Sequence, residues 1–424
     1  MGDTGEHREK LARIFKMSLD VHDPEAIVSG FLRSNHLFEE QGVGVDLVAT
    51  GKCSINMARG ALSVLGERIV RGLVITNSTE SDLSGNIKVI RSSHPVPDER
   101  SLHAASELID FVEGGNEAST LLYLMSGGTS AMVAAPARGI TLHEKRELNT
   151  VLMKNGIEIE ELNMIRSFFS EVKGGKLLRH IRAGRIVELV VSDVLSNDLG
   201  TIGSGILHPR EVPGIDAIAI LQKYGLPGKN PVVDKCIDIA AGTGEERYHS
   251  QRNVETHIID SNRKLISSLV NLAKREGYIC EVYPEPLTGG VEEAVSRFLN
   301  RAFAHNHDPG RPSLLIAGAE TGVIVRGTGN GGRNSEFAMR AAPLLAGTPG
   351  VLLVAGTDGA DGSTSNAGAI VDSMTFAKGE AMGLNYSAML RNNDSGSWCD
   401  ALGCSLVTGH TGVNLADVIM LARG

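Results

Sequence analysis

The chain has 424 residues, 50 of them glycine, against 10 Phe, 6 Tyr and 1 Trp; at ~150 residues per domain this length predicts two or three domains. With 42% hydrophobic and 21% charged residues it is neither a disordered chain nor a coiled coil, and glycines without a three-residue period exclude collagen. A net charge of −9 and few aromatic residues argue against nucleic-acid binding, which favours basic patches and stacking platforms.

The N-terminal stretch MGDTGEHREKLARIF is charged and lacks the apolar core of a secretory signal. One pattern then recurs: a short apolar run followed by a switch to Gly, Ser, Thr, Asn or Asp. It appears in VDLVATGK (45–52), GLVITNST (72–79), TLLYLMSGGTS (120–130) and RIVELVVSDVLSND (185–198). It returns in THIIDSN (256–262), SLLIAGAET (313–321) and VLLVAGTDGADG (351–362). Unalternated apolar runs of this length predict strands buried on both faces, as in parallel sheets, with crossover helices between them. Thr141 and Glu144 form a capping-box pattern that predicts a helix over HEKRELNTVLMKNG. The Pro/Gly-rich GLPGKNPVVDKC and the polar GTGEERYHSQRN predict a boundary between about 225 and 255, hence an N-terminal domain over 1–245 and a C-terminal α/β domain over 246–424. None of the apolar runs is long enough to span a bilayer. The five cysteines, Cys53, Cys236, Cys280, Cys399 and Cys404, are odd in number and contain no C-x-x-C pair. They read as free thiols in a reducing compartment, so a cytoplasmic enzyme without nucleic-acid or membrane partners is expected.

Ligands in open α/β sheets bind outside the carboxyl ends of the strands, and those ends carry most of the candidate residues. Lys52 follows the first strand and precedes a helical pattern, where it can meet a phosphate or stand as a solvated first-turn lysine. Ser126-Gly127-Gly128-Thr129-Ser130 ends the strand LLYLM, either as a backbone nest for phosphate or carboxylate or as a tight turn. Its spacing is not that of a Walker A loop. Gly327-Thr328-Gly329-Asn330-Gly331-Gly332-Arg333 lies between a strand and a helical pattern, the setting for anion binding at a helix N-terminus. Arg333 adds a planar fork for a carboxylate or phosphate. Asp193, Asp358 and Asp361 stand at strand ends, where they can hold hydrated Mg²⁺, accept a hydroxyl proton, or simply cap turns. Glu320, in GAET, is equally open, as are His94 and Asp98 in the proline-fixed loop RSSHPVPDER. The histidines show no metal-ligand spacing. Anion cradles, one lysine, one arginine and several carboxylates suit phosphoryl transfer, where positioning and charge stabilisation dominate.

The segments GKCSINMA, SSHPVPDER, LMSGGTSAMVAAP, VKGGKL, VVSDVLSNDLGTIGSG, GAETGVIVRGTGNGGRNSE, GTDGADGSTSNAGAIVD and TGHTGVNLADV resemble, in order, the class II glycerate kinases, from about residue 45 to the end of the chain. The resemblance implies a Rossmann-like N-terminal domain with a mainly parallel sheet, a smaller C-terminal α/β domain and an active-site cleft between them. It also implies phosphorylation of D-glycerate to 2-phosphoglycerate with ATP and Mg²⁺ or another divalent cation. The family's motif residues fall on Lys52, Asp193, Arg333 and Asp358, and one departure is Ala319, where the family usually has glycine. On this footing Lys52 and Arg333 neutralise the transferring phosphoryl group and the substrate carboxylate, and Asp193 orients or deprotonates the hydroxyl. Asp358 with Asp361 holds the metal. Ser126, Gly127, Gly128, Thr129 and Ser130, together with Glu320, Gly329, Asn330, Gly331 and Gly332, contact ATP or D-glycerate. A homo-oligomer is compatible with this reading. Two rivals stand beside it: an oxidoreductase acting on hydroxypyruvate or glycerate, and a non-catalytic metabolite-binding regulator.

Overall fold

A computed structural model describes residues 4–38, 43–79, 83, 85–210, 212–243, 252–304 and 311–424. The chain forms two compact units. The larger comprises Pro24–Val191 and Ser196–Ile259; the smaller comprises Met1–Asp23, Ser192–Leu195 and Asp260–Gly424.

The larger unit is built on a six-stranded sheet of β1 (Val45–Thr50), β2 (Ile69–Thr76), β3 (Ile87–Arg91), β4 (Thr120–Ser126), β5 (Arg185–Ser192) and β6 (Glu255–Ser261). Their spatial order is 3-2-1-4-5-6, and β3–β2, β2–β1, β1–β4 and β4–β5 pair in parallel. This is the doubly wound Rossmann order, which reverses between β1 and β4 and opens a crevice at their carboxyl ends. Every residue of β1 and β4 is buried, as unalternated apolar runs require of strands covered on both faces. The charge inside β1 is neutralised locally: Arg71 grips Asp46 with two nitrogens at 2.8 and 2.9 Å and stacks on Phe111. A separate helical layer, Leu142–Lys154, Ile159–Phe168, Gly214–Lys223 and Pro231–Thr243, packs around Leu148, Leu152, Ile165, Phe169, Leu221 and Val233. The first of these helices opens on the expected capping box, with Glu144 N–H donating to Thr141 Oγ1 and Thr141 N–H donating to the Glu144 carboxylate.

The smaller unit holds β7 (Ile279–Val282), β8 (Leu287–Gly290), β9 (Ser313–Gly322), β10 (Gly350–Gly356), β11 (Gly368–Asp372), β12 (Ser405–Leu406) and β13 (Asp417–Arg423). The sheet order is 12-11-10-13-9-7, with β8 beside β9. The pairings from β12 through to β9 are antiparallel; those of β7 and β8 with β9 are parallel. The runs SLLIAGAET and VLLVAGT thus lie in a mixed sheet rather than the parallel one expected. Their unbroken hydrophobicity encodes burial on both faces, not strand direction: every residue of β10 is buried.

The division into units also differs from the expected 1–245 and 246–424. The stretch GLPGKNPVVDKC is no linker, because its second half starts the helix Pro231–Thr243, with Asn230 accepting N–H bonds from Val232 and Val233. Most of GTGEERYHSQRN lies outside the described residues. The larger unit continues to Ile259, and the first helix, Thr4–Val21, belongs to the smaller unit. There Arg8 donates to the Ile370 carbonyl and the Asp372 carboxylate, both at 2.8 Å, and His7 bonds Tyr278 at 2.6 Å. Beyond this helix, buried His22 bridges Asp260 and Ser268 at 2.8 Å each.

Candidate active site

In the larger unit, the ends of β1 and β4 are stitched together at the point where the strand order reverses. Lys52 N–H donates to the Gly127 carbonyl at 2.9 Å, and Cys53 N–H to Ser126 Oγ at 3.0 Å. Ser126 Oγ donates to the Thr50 carbonyl, and Thr129 Oγ1 to the Ser126 carbonyl. Gly128 has φ +92°, a conformation that a side chain disfavours, and an added Cβ would press on His94 and on the Lys52 side chain at 3.1 and 3.3 Å. Lys52 and His94 therefore flank this turn. Among the described residues, no protein group accepts from the backbone N–H groups of Gly127, Gly128, Thr129 or Ser130. A turn of this kind offers several convergent donors to an anion. Asp98, from the same loop as His94, is instead the N-cap of the helix Glu99–Glu113, and Arg100 holds its carboxyl well below the usual range.

In the smaller unit, Arg333 opens the helix Arg333–Leu345. Its guanidinium is clamped by Asp417, Nε to Oδ2 at 2.5 Å and Nη2 to Oδ1 at 3.1 Å. Burial pulls the arginine down, but the paired Asp417 outweighs it and the net shift is upward. Asp417 lies 2% exposed at the start of β13, and burial raises it to about 6 against the opposing pull of Arg333. Glu320, at the end of β9, is also raised, first by loss of surrounding water; Arg333 opposes the shift and Asp193 adds to it. Asp193 accepts a hydrogen bond from Asn414 Nδ2 at 2.8 Å. Asp193, Glu320 and Arg333 thus form one electrostatic group, steered by Asn414 and Asp417.

The loop 327–332 departs from the anion cradle expected. Each backbone N–H from Arg326 to Gly332 already has a protein acceptor. Asn393 Oδ1 takes two and Asn392 Oδ1 and carbonyl take the next two; Asp394, Ser363 and Ser335 take the rest. The glycines serve close packing: a Cβ on Gly329 would lie within 2.7 Å of Asp394 and closer still to the Asn392 carbonyl. The helix N-terminus is likewise occupied. Asp361, 2% exposed, accepts from Asn334 N–H at 2.9 Å and Ser335 N–H at 2.8 Å. Gly329, Asn330, Gly331 and Gly332 therefore present no backbone donors to a ligand, and Asp361 is a buried helix cap rather than an open metal ligand.

Among the described residues no group of three or more His, Cys, Asp and Glu side chains is arranged to hold a metal ion. A phosphate-bound Mg²⁺ needs only one or two carboxylates, its other ligands being phosphate oxygens and water. Half-buried Asp358, one oxygen of which accepts from Ala360 N–H, fits that requirement; Asp361 does not. Three further residues, Asp417, Asn414 and Lys173, carry no local motif signal of their own; Lys173 donates to Ser130 Oγ at 2.6 Å. All three lie within segments named above, where the one cue is the lone acid opening an apolar strand in ADVIMLAR, a sign of a buried partner.

Residues 10–237 match DUF4147, a domain of unknown function, and residues 313–417 match the MOFRL family. The chain is 36% identical to D-glycerate 2-kinase of Thermotoga maritima, over 98% of both chains. It is 30% identical to a putative hydroxypyruvate reductase of Agrobacterium vitis, over 89% of this chain and 99% of that protein. A crystal structure of glycerate kinase from Thermotoga maritima superposes with a TM-score of 0.84 at 34% identity, covering 99% of this chain and 100% of that one.

Proposed function

The chain belongs to the glycerate kinase family in which a DUF4147 domain precedes a MOFRL domain, and from that premise we propose that it transfers the terminal phosphoryl group of ATP to D-glycerate, giving 2-phosphoglycerate. The observation that carries the assignment is the turn of open N–H groups beside Lys52 at the reversal point of the larger unit's sheet. Phosphate binding draws on convergent donors and a nearby cation, and the open turn beside Lys52 supports that reading.

In this reading Lys52 and the N–H groups of Gly127, Gly128, Thr129 and Ser130 bind phosphoryl oxygens. Arg333, fixed in one orientation by Asp417, meets the substrate carboxylate or the transferring group with its remaining N–H donors. Asp193, held by Asn414, accepts the proton of the attacking hydroxyl, and Glu320 lies in the same electrostatic group. Asp358 would hold Mg²⁺, which neutralises phosphate charge when bound. The substrates are small anions. Among the described residues no helix is long and apolar enough to cross a membrane, and all five cysteines are free, which supports a cytoplasmic setting.

The relative named as a reductase and the Rossmann strand order favour one rival, hydride transfer to hydroxypyruvate. Against it, β1 is followed by Gly51-Lys52-Cys53 and not by the spaced glycines that admit a dinucleotide pyrophosphate. The deciding assay supplies ATP, Mg²⁺ and D-glycerate with enolase but no phosphoglycerate mutase. Phosphoenolpyruvate is expected. ADP release without phosphoenolpyruvate would move the product to the 3-isomer, and NADH oxidation with hydroxypyruvate would replace the kinase assignment.

A further inference from the structure

Four cations gather inside the larger unit. Lys145 sits on the inner face of the helix Leu142–Lys154, Arg166 on the helix Ile159–Phe168, and Lys173 and Lys176 in the segment after it. They are not equally provided for. Lys176 donates to the carbonyls of Ser167, Phe168 and Ser170 at 3.0, 2.8 and 2.7 Å, which occupies all three of its N–H groups. Arg166 donates to Asn149 Oδ1 at 3.2 Å and lies against Met153 Sδ. Lys173, 4% exposed, has Ser130 Oγ at 2.6 Å, and Ser130 shares a second hydrogen bond with Ser204 at 2.8 Å. Lys145 is also 4% exposed, and its ammonium has no hydrogen-bond partner among the described residues. Among the described residues no carboxylate is ion-paired with Lys145, Arg166 or Lys173.

A buried ammonium without a counter-charge is strongly unfavourable, and like charges beside it make matters worse. Burial, with Lys176 and Arg166 adding, pushes Lys145 down to about 8. Burial, with Lys145 and Arg166 adding, pushes Lys173 well below the usual lysine range. A multivalent anion would offset several of these charges at once, whereas a single carboxylate would balance only one. Through Ser130 the cluster is tied to the turn whose N–H groups at 127–130 have no protein acceptor among the described residues.

We propose that this turn, Lys173 and Lys145 form one oxyanion site for a doubly charged phosphate group. Ser130 links the open backbone donors to a buried lysine pair that is completed only when the anion arrives. The phosphate belongs either to the nucleotide or to the phosphorylated product. Only this choice of ligands rests on the kinase reading.

Calorimetry on the full chain tests it with three probes: ADP, 2-phosphoglycerate and inorganic phosphate. Lys173→Met and Lys145→Met should each weaken at least one by about tenfold or more, with D-glycerate affinity unchanged. Loss for ADP alone assigns the nucleotide, and loss for 2-phosphoglycerate alone assigns the transferred group. Binding by the unmodified chain at pH 8–9 should take up protons as the lysines charge, and the uptake should shrink in both variants. Lys145→Met should also melt higher than the parent without phosphate and gain less from adding it. Should Lys173→Met fail to fold, Ser130→Ala replaces it, with the same loss expected. Unaltered affinities and proton uptake in the folded variants, or a parent that binds none of the probes, would overturn the site. None of these readings requires turnover, so a failed kinase assay does not decide them, and an active kinase with unchanged affinities rejects this site alone.

Discussion

The turn 126–130 and the loop 327–333 read alike as sequence: each is a glycine-rich segment between a strand and a helix. Their backbones do opposite things. In the first, glycine allows a left-handed turn that leaves four consecutive N–H groups beside Lys52 without an acceptor among the described residues. In the second, glycine allows close contact with residues 392–395, and every N–H from Arg326 to Gly332 is occupied. The first is the candidate binding surface; the second is a mount that fixes where Arg333 begins its helix. Two segments of similar composition thus differ in kind, one leaving backbone donors open in the larger unit and the other using them for rigidity in the smaller.

Several substitutions test how far this contrast holds. Lys52→Ala and Arg333→Ala should each cost on the order of 10²–10³ in kcat, because each removes a preorganised charge. Circular dichroism should show the fold intact, and near-normal turnover in either variant removes its assigned role. The contrast itself is sharpest between Gly128→Ala and Gly329→Ala. The first should lower kcat/KM by about tenfold or more, since misplacing the phosphate-facing turn acts on the chemistry. The second should cost about 1–3 kcal/mol of stability through overpacking, measured by urea denaturation, with activity per folded molecule largely retained. Equal effects of the two on activity would break the distinction.

Asp417→Asn probes the mount through pH. The folded chain keeps the Asp417 proton to about pH 6, whereas its ordinary value is 3.8. Ionising it therefore costs folding free energy: the contribution to stability is full below about pH 4 and falls as pH rises to about 6. In the same window Arg333 gains its counter-charge, so kcat/KM should rise through pH 6. Asn should flatten both profiles, as read by thermal melts and initial rates; an unchanged acid limb would assign that limb to another group. The smallest effect is expected of Asp361→Ala, about 1–2 kcal/mol of stability for a lost helix cap. Its dependence of rate on Mg²⁺ concentration should be unchanged, while Asp358→Asn should need more Mg²⁺ for half-maximal rate.

Much of the architecture was legible because burial writes itself into sequence. Runs such as VDLVAT and TLLYLMS mark strands hidden on both faces, and Thr141 and Glu144 mark a helix start. Strand direction was not legible, since β4 and β10 are equally apolar while one pairs in parallel and the other antiparallel. Among the candidate residues, Lys52, Arg333 and Asp193 could be picked out because their motifs are local. The roles of Asp361, Asp417 and Lys173 could not, because each depends on a partner distant in sequence. Asp361 reaches back 27 residues to Asn334, Arg333 reaches forward 84 to Asp417, and Lys173 reaches back 43 to Ser130. D-G-A-D-G looks the same whether its second carboxylate holds a metal or a helix end.

The placement of the first helix, Thr4–Val21, in the smaller unit has a consequence for how the chain is made. Arg8 meets Ile370 and Asp372 across 362 and 364 residues, so its partners leave the ribosome long after it does. The larger unit, contiguous but for four residues between Pro24 and Ile259, can fold while translation continues. The helix must wait beside it with an uncovered apolar face that includes Leu11, Ile14, Phe15 and Leu19. Truncations ending before Arg423, the last residue of β13, should therefore leave a nascent chain that chaperones hold, with the helix Thr4–Val21 as a foothold.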